Sequence, residues 1–169
     1  MHNTKHAPIL VFTYGNPSRG DDALGPAMFD LLEVCKQQTT ELDHVDLLTD
    51  YQLQIEHALD LEQRQCVLFI DSSASANPPF EFHQLQAEQD IGYTTHAMSP
   101  SAVLSVYQQI RKTAPPPAYM LSIRGNEFGL SENLSSQANR HLQQSYRFVR
   151  DLLATGIMSE GFIFGQITP

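Results

Sequence analysis

The sequence predicts an α/β fold, a three-layer sandwich in which a mostly parallel, twisted sheet of about five strands lies between two layers of helices. Two observations carry this prediction. Continuous apolar runs, which suit strands buried on both faces, alternate along the chain with segments whose apolar residues recur at helical spacing. The apolar runs end at polar or turn-forming residues, as strands do in right-handed strand–helix–strand units.

A turn separates the first predicted strand from the first predicted helix. Residues 8–14 are rich in β-branched and aromatic side chains and end at Gly15-Asn16-Pro17, a group of turn formers. Beyond Asp21 and Asp22 the apolar residues follow a helical period. This predicted helical stripe comprises Leu24, Met28, Leu31 and Cys35.

The same alternation continues along the chain. Further strands are predicted at residues 45–48, 66–70, 80–85 and 119–123, and further helices at 53–61, 99–112 and 135–154. The strand at 80–85 alternates in polarity and follows Asn77-Pro78-Pro79, which is typical of an edge strand. In the helix at 99–112 the predicted core face consists of Val103, Val106, Tyr107 and Ile110. Residues 1–155 are therefore expected to form one domain, followed by a tail, 156–169, that has no clean period.

Composition excludes several classes of function. Lys and Arg number 10 against 19 Asp and Glu, giving a formal charge of -9, and no basic run is present to bind a nucleic acid backbone. No leader opens the sequence and no apolar run is long enough to cross a bilayer, so we expect a cytoplasmic protein with no membrane partner. Cys35 and Cys66 fit neither a disulfide framework nor a zinc spacing. Nothing predicts a second subunit, and a monomer is expected.

Three groups of polar residues stand out beyond the predicted strands. They are Gly15 to Asp22 after the first strand, Asp71-Ser72-Ser73 after a central strand, and Thr95-His96 in the loop before the helix at 99–112. In open α/β sheets ligands bind beyond the carboxyl ends of the strands, so these segments are expected to meet at one edge. Two carboxylates and a histidine are normal ligands of a divalent transition metal, and three protein ligands leave a position open for water or substrate. Such a site polarises a peptide carbonyl or activates water.

Each of these residues also has a structural explanation when it is taken alone. Asp21 and Asp22 begin a predicted helix, where carboxylates cap free N–H groups. Asp71 ends a strand, and His96 is one of seven histidines. Other chemistries fit less well, because the glycine spacing does not match a dinucleotide fingerprint and no serine has the flanking glycines of a nucleophile elbow.

Four motifs, in this order and on these elements, resemble the nickel-iron hydrogenase maturation endopeptidases. The resemblance spans most of residues 8–154 and is most specific in the first motif. The motifs are GNPSRGDDALGP at 15–26, VLFIDSSAS at 67–75, THAMSPSAVLSV at 95–106 and GNEFGLSENLS at 125–135. The resemblance implies a phosphorylase/hydrolase-like sandwich. It also implies an endopeptidase, of the aspartic type, that removes the C-terminal extension of a hydrogenase large-subunit precursor after nickel has been inserted.

The resemblance also implies which residues form the site. The metal-contacting positions of the family fall on Asp22, Asp71 and His96. In the family the nickel is thought to be borne by the substrate, and the site is of a kind that accepts other divalent metals. One of the two carboxylates is expected to act as the base, and the sequence does not distinguish them. Secondary candidates for shaping the turn or holding the substrate tail are Asn16, Arg19 and Asp21, while Gly15 and Gly20 are expected to serve backbone geometry.

Two other functions stay open at this point. A nickel-binding or precursor-binding maturation chaperone would use the same three residues without cutting a peptide bond, and would leave the mass of the precursor unchanged. A different small α/β hydrolase, acting on peptides or nucleosides, would cleave unrelated substrates without nickel.

Overall fold

The computed structural model describes residues 6–89, 98–131 and 133–155. Within them the chain forms one five-stranded sheet with the order β2-β1-β3-β5-β4, in which only β4, at one edge, is antiparallel to its neighbour. The predicted α/β class, the strand number and the edge position of the fourth strand are confirmed. The strands are β1 (Ile9–Tyr14), β2 (Val45–Asp50), β3 (Cys66–Ser73), β4 (Phe80–Gln84) and β5 (Ala118–Arg124).

Helices cover both faces of the sheet, as the prediction of three layers requires. The α-helices are α1 (Leu24–Gln38), α2 (Pro100–Arg111) and α3 (Ser136–Ala154). Helices α1 and α3 pack on the face to which Val11, Leu68 and Leu121 belong. On the other face, α2 and a 3-10 helix, Ile55–Leu61, cover Phe12 and Phe69. The inner strands β1, β3 and β5 are thus buried on both sides, which explains their continuous apolar runs.

Serine hydroxyl groups fix the beginning of two helices. The Ser99 hydroxyl accepts the amide N–H of Ala102 at 3.1 Å, and the Ser135 hydroxyl accepts that of Ala138, also at 3.1 Å. Both bonds satisfy a first-turn N–H that has no partner within the helix. They account for helix starts at the positions the sequence predicted.

Three local predictions differ from the structure in detail. Leu31 packs against the core, as predicted, but it is only partly buried, and the neighbouring Leu32 is fully buried. Ile110, predicted to face the core, is 52% exposed. It lies in the last turn of α2, all of whose residues, 108–111, are exposed. Strand β3 continues past Ile70 to Ser73, since it keeps pairing with β5 there.

Within the described ranges, none of the helices combines the length and the apolarity needed to cross a bilayer.

Candidate active site

The carboxyl ends of β1 and β3 lie side by side at one edge of the sheet. The two strands are parallel neighbours, and Thr13 is paired with Ile70 near their ends. After β1 the chain turns through Gly15 into a short 3-10 helix, Gly20–Ala23, which leads directly into α1. This turn brings Asp22 of the first motif to the end of β3, as the sequence predicted.

Two glycines allow the turn to close. Gly15 has a φ of +144°, and a β-carbon on it would lie 2.1 Å from the backbone oxygen of Asp22. Gly20 has a φ of +55°, and a β-carbon there would lie 2.5 Å from the backbone oxygen of Glu127. Any side chain would collide with backbone at both positions. The expected role of these glycines in backbone geometry is confirmed.

Asp22 and Asp71 meet at the hydroxyl group of Ser72. The Ser72 hydroxyl lies 3.3 Å from Oδ1 of Asp22 and 3.4 Å from Oδ1 of Asp71. Oδ1 of Asp71 also accepts the Ser72 amide N–H at 2.6 Å, and Oδ2 of Asp22 accepts the Asn16 amide N–H at 2.9 Å. The two carboxylates are therefore within about 7 Å of each other. Both side chains are half-buried, so they remain accessible from the edge of the sheet.

The environment of Asp71 favours its protonated form. Burial raises the pKa of Asp71 from 3.8 to about 7, and the negative charge of Asp22 adds to the rise, against the Ser72 amide N–H, which favours the ionised form. A carboxyl group with a pKa near neutrality both accepts and releases a proton readily at physiological pH. This is a property of proton-transferring groups in enzymes.

Tyr14 is a neighbour of Asp71 that the sequence did not single out. It lies one position beyond the Thr13–Ile70 pair and packs with Phe12 on the α2 face of the sheet. Burial, together with the charge of Asp71, raises the pKa of the Tyr14 phenol, so this group stays protonated. Its signal in the sequence was weak, because an aromatic residue ending a buried strand is common.

Asp21 lies next to Asp22 in sequence but serves the scaffold. It is fully buried, and its carboxylate accepts the backbone N–H groups of Asn126, Glu127 and Ser135 at 2.8–2.9 Å, together with the Ser135 hydroxyl at 2.8 Å. Burial opposes its charge, yet these bonds prevail and hold the pKa of Asp21 below 3.8. Asp21 thus ties the first motif to the 125–135 loop.

The other predicted residues are placed as follows. Oδ1 of Asn16 accepts the Ser18 amide N–H at 2.9 Å, so this side chain shapes the turn. Arg19 is exposed and pairs through its backbone with Ser131. His96 lies outside the described residues, and in the part of the chain that is described no three His, Cys, Asp or Glu side chains are grouped so as to hold a metal ion.

The sequence and the fold were compared with those of known proteins. No family model matches the chain, and no curated protein matches its sequence. Among solved structures, it is similar to the hydrogenase 2 maturation peptidase from Thaumarchaeota archaeon SCGC_AB-539-E09, with a TM-score of 0.62 and 25% identity, over 86% of this chain and 97% of the other.

Two further structures share the fold. HybD, a hydrogenase maturating endopeptidase from E. coli, has a TM-score of 0.65 at 19% identity, over 88% of this chain and 93% of its own. HycI, a [NiFe] hydrogenase maturation protease from Thermococcus kodakarensis KOD1, has a TM-score of 0.65 at 18% identity, over 89% and 94%. The expectation of a peptidase is supported by relatives that are themselves named as peptidases or proteases. The chain has the fold of the hydrogenase maturation proteases, and the resemblance predicted from its motifs is confirmed.

Proposed function

We propose that this protein is an endopeptidase that removes the C-terminal extension of a nickel-iron hydrogenase large-subunit precursor after nickel insertion. The observation that carries the proposal is the meeting of Asp22 and Asp71 at the edge of the sheet, in a fold shared with maturation peptidases. The partner is then the precursor, and the reaction is expected to take place in the cytoplasm with the protein as a monomer.

In this proposal the substrate brings its own metal. Asp22, Asp71 and His96 surround nickel already bound in the precursor, with Asp22 and His96 as its ligands and Asp71 beside it, and this contact positions the peptide bond to be cut against the site. Carboxylate oxygen and imidazole nitrogen suit nickel as ligands, although the same donors accept other divalent metals. A precursor without nickel lacks this contact, so the site distinguishes a loaded substrate from an unloaded one.

Asp71 is the better candidate for the base. The oxygen of a water molecule attacks the carbonyl carbon of the peptide bond, and the water proton passes to the Asp71 carboxylate. The carbon–nitrogen bond then breaks, and the leaving amine takes a proton from the carboxyl group. A pKa of about 7 suits both transfers, and the nearby Tyr14 phenol, whose own pKa is raised, stays protonated. Asp22, oriented by the Asn16 amide, is left as a metal contact.

Conservative substitutions test the assignment. We expect Asp71→Asn to slow processing of a nickel-loaded precursor by a factor on the order of 100 or more, since proton transfer alone contributes that much. Asp22→Asn is expected to slow processing as well, because it removes a contact to the nickel. Asp30→Asn, at an exposed position of α1, is the matched control and should process normally. The measurement is a time course of the intact mass of the precursor. Normal rates for both site variants would refute the assignment.

A further inference from the structure

The Ser72 hydroxyl contacts two carboxylates that come from different parts of the chain. Asp22 belongs to the 3-10 helix Gly20–Ala23, and Asp71 belongs to β3. The distances from the Ser72 oxygen are 3.3 Å and 3.4 Å. One hydroxyl has one proton, so it serves the two acceptors in turn or shares the proton between them.

Strand geometry explains why this residue reaches both groups. Side chains alternate between the faces of a strand, and the core clusters place Phe69 on the α2 face and Ile70 on the α1 face. By this alternation Ser72 points toward the α1 face, where the 3-10 helix carrying Asp22 precedes α1. Asp71 starts from the opposite face, and its carboxylate turns back to accept the Ser72 amide N–H at 2.6 Å.

We propose that Ser72 is a positioning residue, whose hydroxyl directs the carboxylates of Asp22 and Asp71 toward the same substrate atoms. The inference rests on the proposed function and extends it to a residue that is not among the proposed nickel contacts. Without the hydroxyl, Asp22 keeps its bond to the Asn16 amide and Asp71 keeps its bond to the Ser72 amide. Removing the hydroxyl therefore removes only the contact that joins the Asp22 and Asp71 side chains.

The neighbouring Ser73 shows what a structural serine does in the same strand. Its hydroxyl accepts the amide N–H groups of Ser75 and Ala76 at 3.2 Å and 3.0 Å, which closes the turn after β3. Backbone groups of a turn are satisfied in this way by many serines. The Ser72 hydroxyl, in contrast, contacts the two acidic side chains of the site.

The experiment compares three variants with the wild-type protein on the nickel-loaded large-subunit precursor. Ser72→Ala is expected to lower kcat on the order of tenfold and to change KM by less than about twofold, because small misplacements of reacting groups are costly to the chemical step. Ser72→Thr keeps the hydroxyl and should restore most of kcat. Ser73→Ala removes the adjacent hydroxyl and should leave kcat unchanged. Thermal melting establishes that each variant is folded.

The outcomes separate this inference from the function on which it rests. Rescue by threonine, together with normal kcat in Ser73→Ala, supports positioning by Ser72. A wild-type protein that cuts the precursor and a Ser72→Ala variant that cuts it equally fast would overturn the role of Ser72 alone. A folded Ser72→Thr variant as slow as Ser72→Ala would also overturn it. A wild-type protein that leaves the loaded precursor uncut would overturn the proposed function, and this inference with it.

Discussion

Two adjacent aspartates, Asp21 and Asp22, have opposite roles although their side chains are the same. Asp21 is fully buried among four hydrogen-bond donors, whereas Asp22 is half-buried and faces Asp71 at the edge of the sheet. The sequence predicted both as candidates, because local pattern alone does not show which of two neighbours in a 3-10 turn points inward. The structural explanation given for the pair was capping of the helix that they begin. Asp21 is structural, but its carboxylate accepts N–H groups of Asn126, Glu127 and Ser135 rather than those of its own helix.

The raised pKa of Asp71 predicts that this residue destabilises the folded protein above neutral pH. A carboxyl whose folded pKa exceeds its unfolded value binds more protons when folded, so stability falls as pH rises from about 4 to about 7 and stays low beyond. The shift from 3.8 to about 7 sets this cost. It corresponds to about 4 kcal/mol, since one pKa unit is worth about 1.4 kcal/mol. We expect Asp71→Asn to be more stable than wild type at pH 8, with the difference much smaller at pH 4.

The measurement is urea unfolding of wild type and Asp71→Asn at both pH values, with a chelator present. Asp30→Asn is the control for removal of an acidic side chain, and no gain of this size is expected from it, since Asp30 is exposed. A stability difference between wild type and Asp71→Asn that does not grow between pH 4 and pH 8 would show that burial does not raise the pKa of this group.

At the scale of elements, the sheet was predictable and the helix faces only partly so. Apolar runs such as residues 66–70 predict buried strands clearly, because a strand buried on both faces needs an apolar side chain at each position. The extension of β3 to Ser73 was not visible, since polar residues there are kept in the strand by pairing with β5. The exposure of Ile110 depends on how far the sheet and its loops extend beneath α2, and the helical period of the sequence does not contain that information.

The 125–135 loop and the first motif form one unit held by Asp21. Replacing Asp21 with Asn substitutes an amide NH₂ for an acceptor oxygen and leaves backbone N–H groups of this buried site unpaired. We expect Asp21→Asn to lower the free energy of unfolding by about 2–4 kcal/mol at neutral pH, because each unpaired buried donor costs about 1–3 kcal/mol.

The ionised Asp21 carboxylate stabilises the folded protein, whereas ionisation of Asp71 destabilises it, so the two residues change the free energy of unfolding with pH in opposite directions. A carboxyl whose folded pKa lies below 3.8 stabilises the fold above that pH, and this contribution disappears as pH falls through the folded pKa. The difference between wild type and Asp21→Asn should therefore be constant from pH 5 to pH 8 and shrink on acidification below about pH 4. Equal stability of the two proteins at pH 7, measured by urea unfolding, would contradict the anchoring role.

At the scale of the whole molecule, the carboxyl edge of a parallel sheet concentrates residues that are distant in sequence. Asp22 and Asp71 were predicted to meet there from topology alone, and their meeting follows from the pairing of β1 with β3. The bridging Ser72 was not predicted, because its contact with the 3-10 helix that follows β1 depends on the direction of its side chain. The third predicted residue, His96, stays a prediction.

The central claim is that the protein cuts a hydrogenase large-subunit precursor only after the precursor has received its nickel. The most direct test incubates the purified protein with nickel-loaded and nickel-free forms of the precursor from the same organism and records the intact mass of each. We predict the loss of a short C-terminal peptide from the loaded form only. If both masses stay unchanged while the protein binds the precursor, the claim is contradicted and a maturation chaperone describes the protein better.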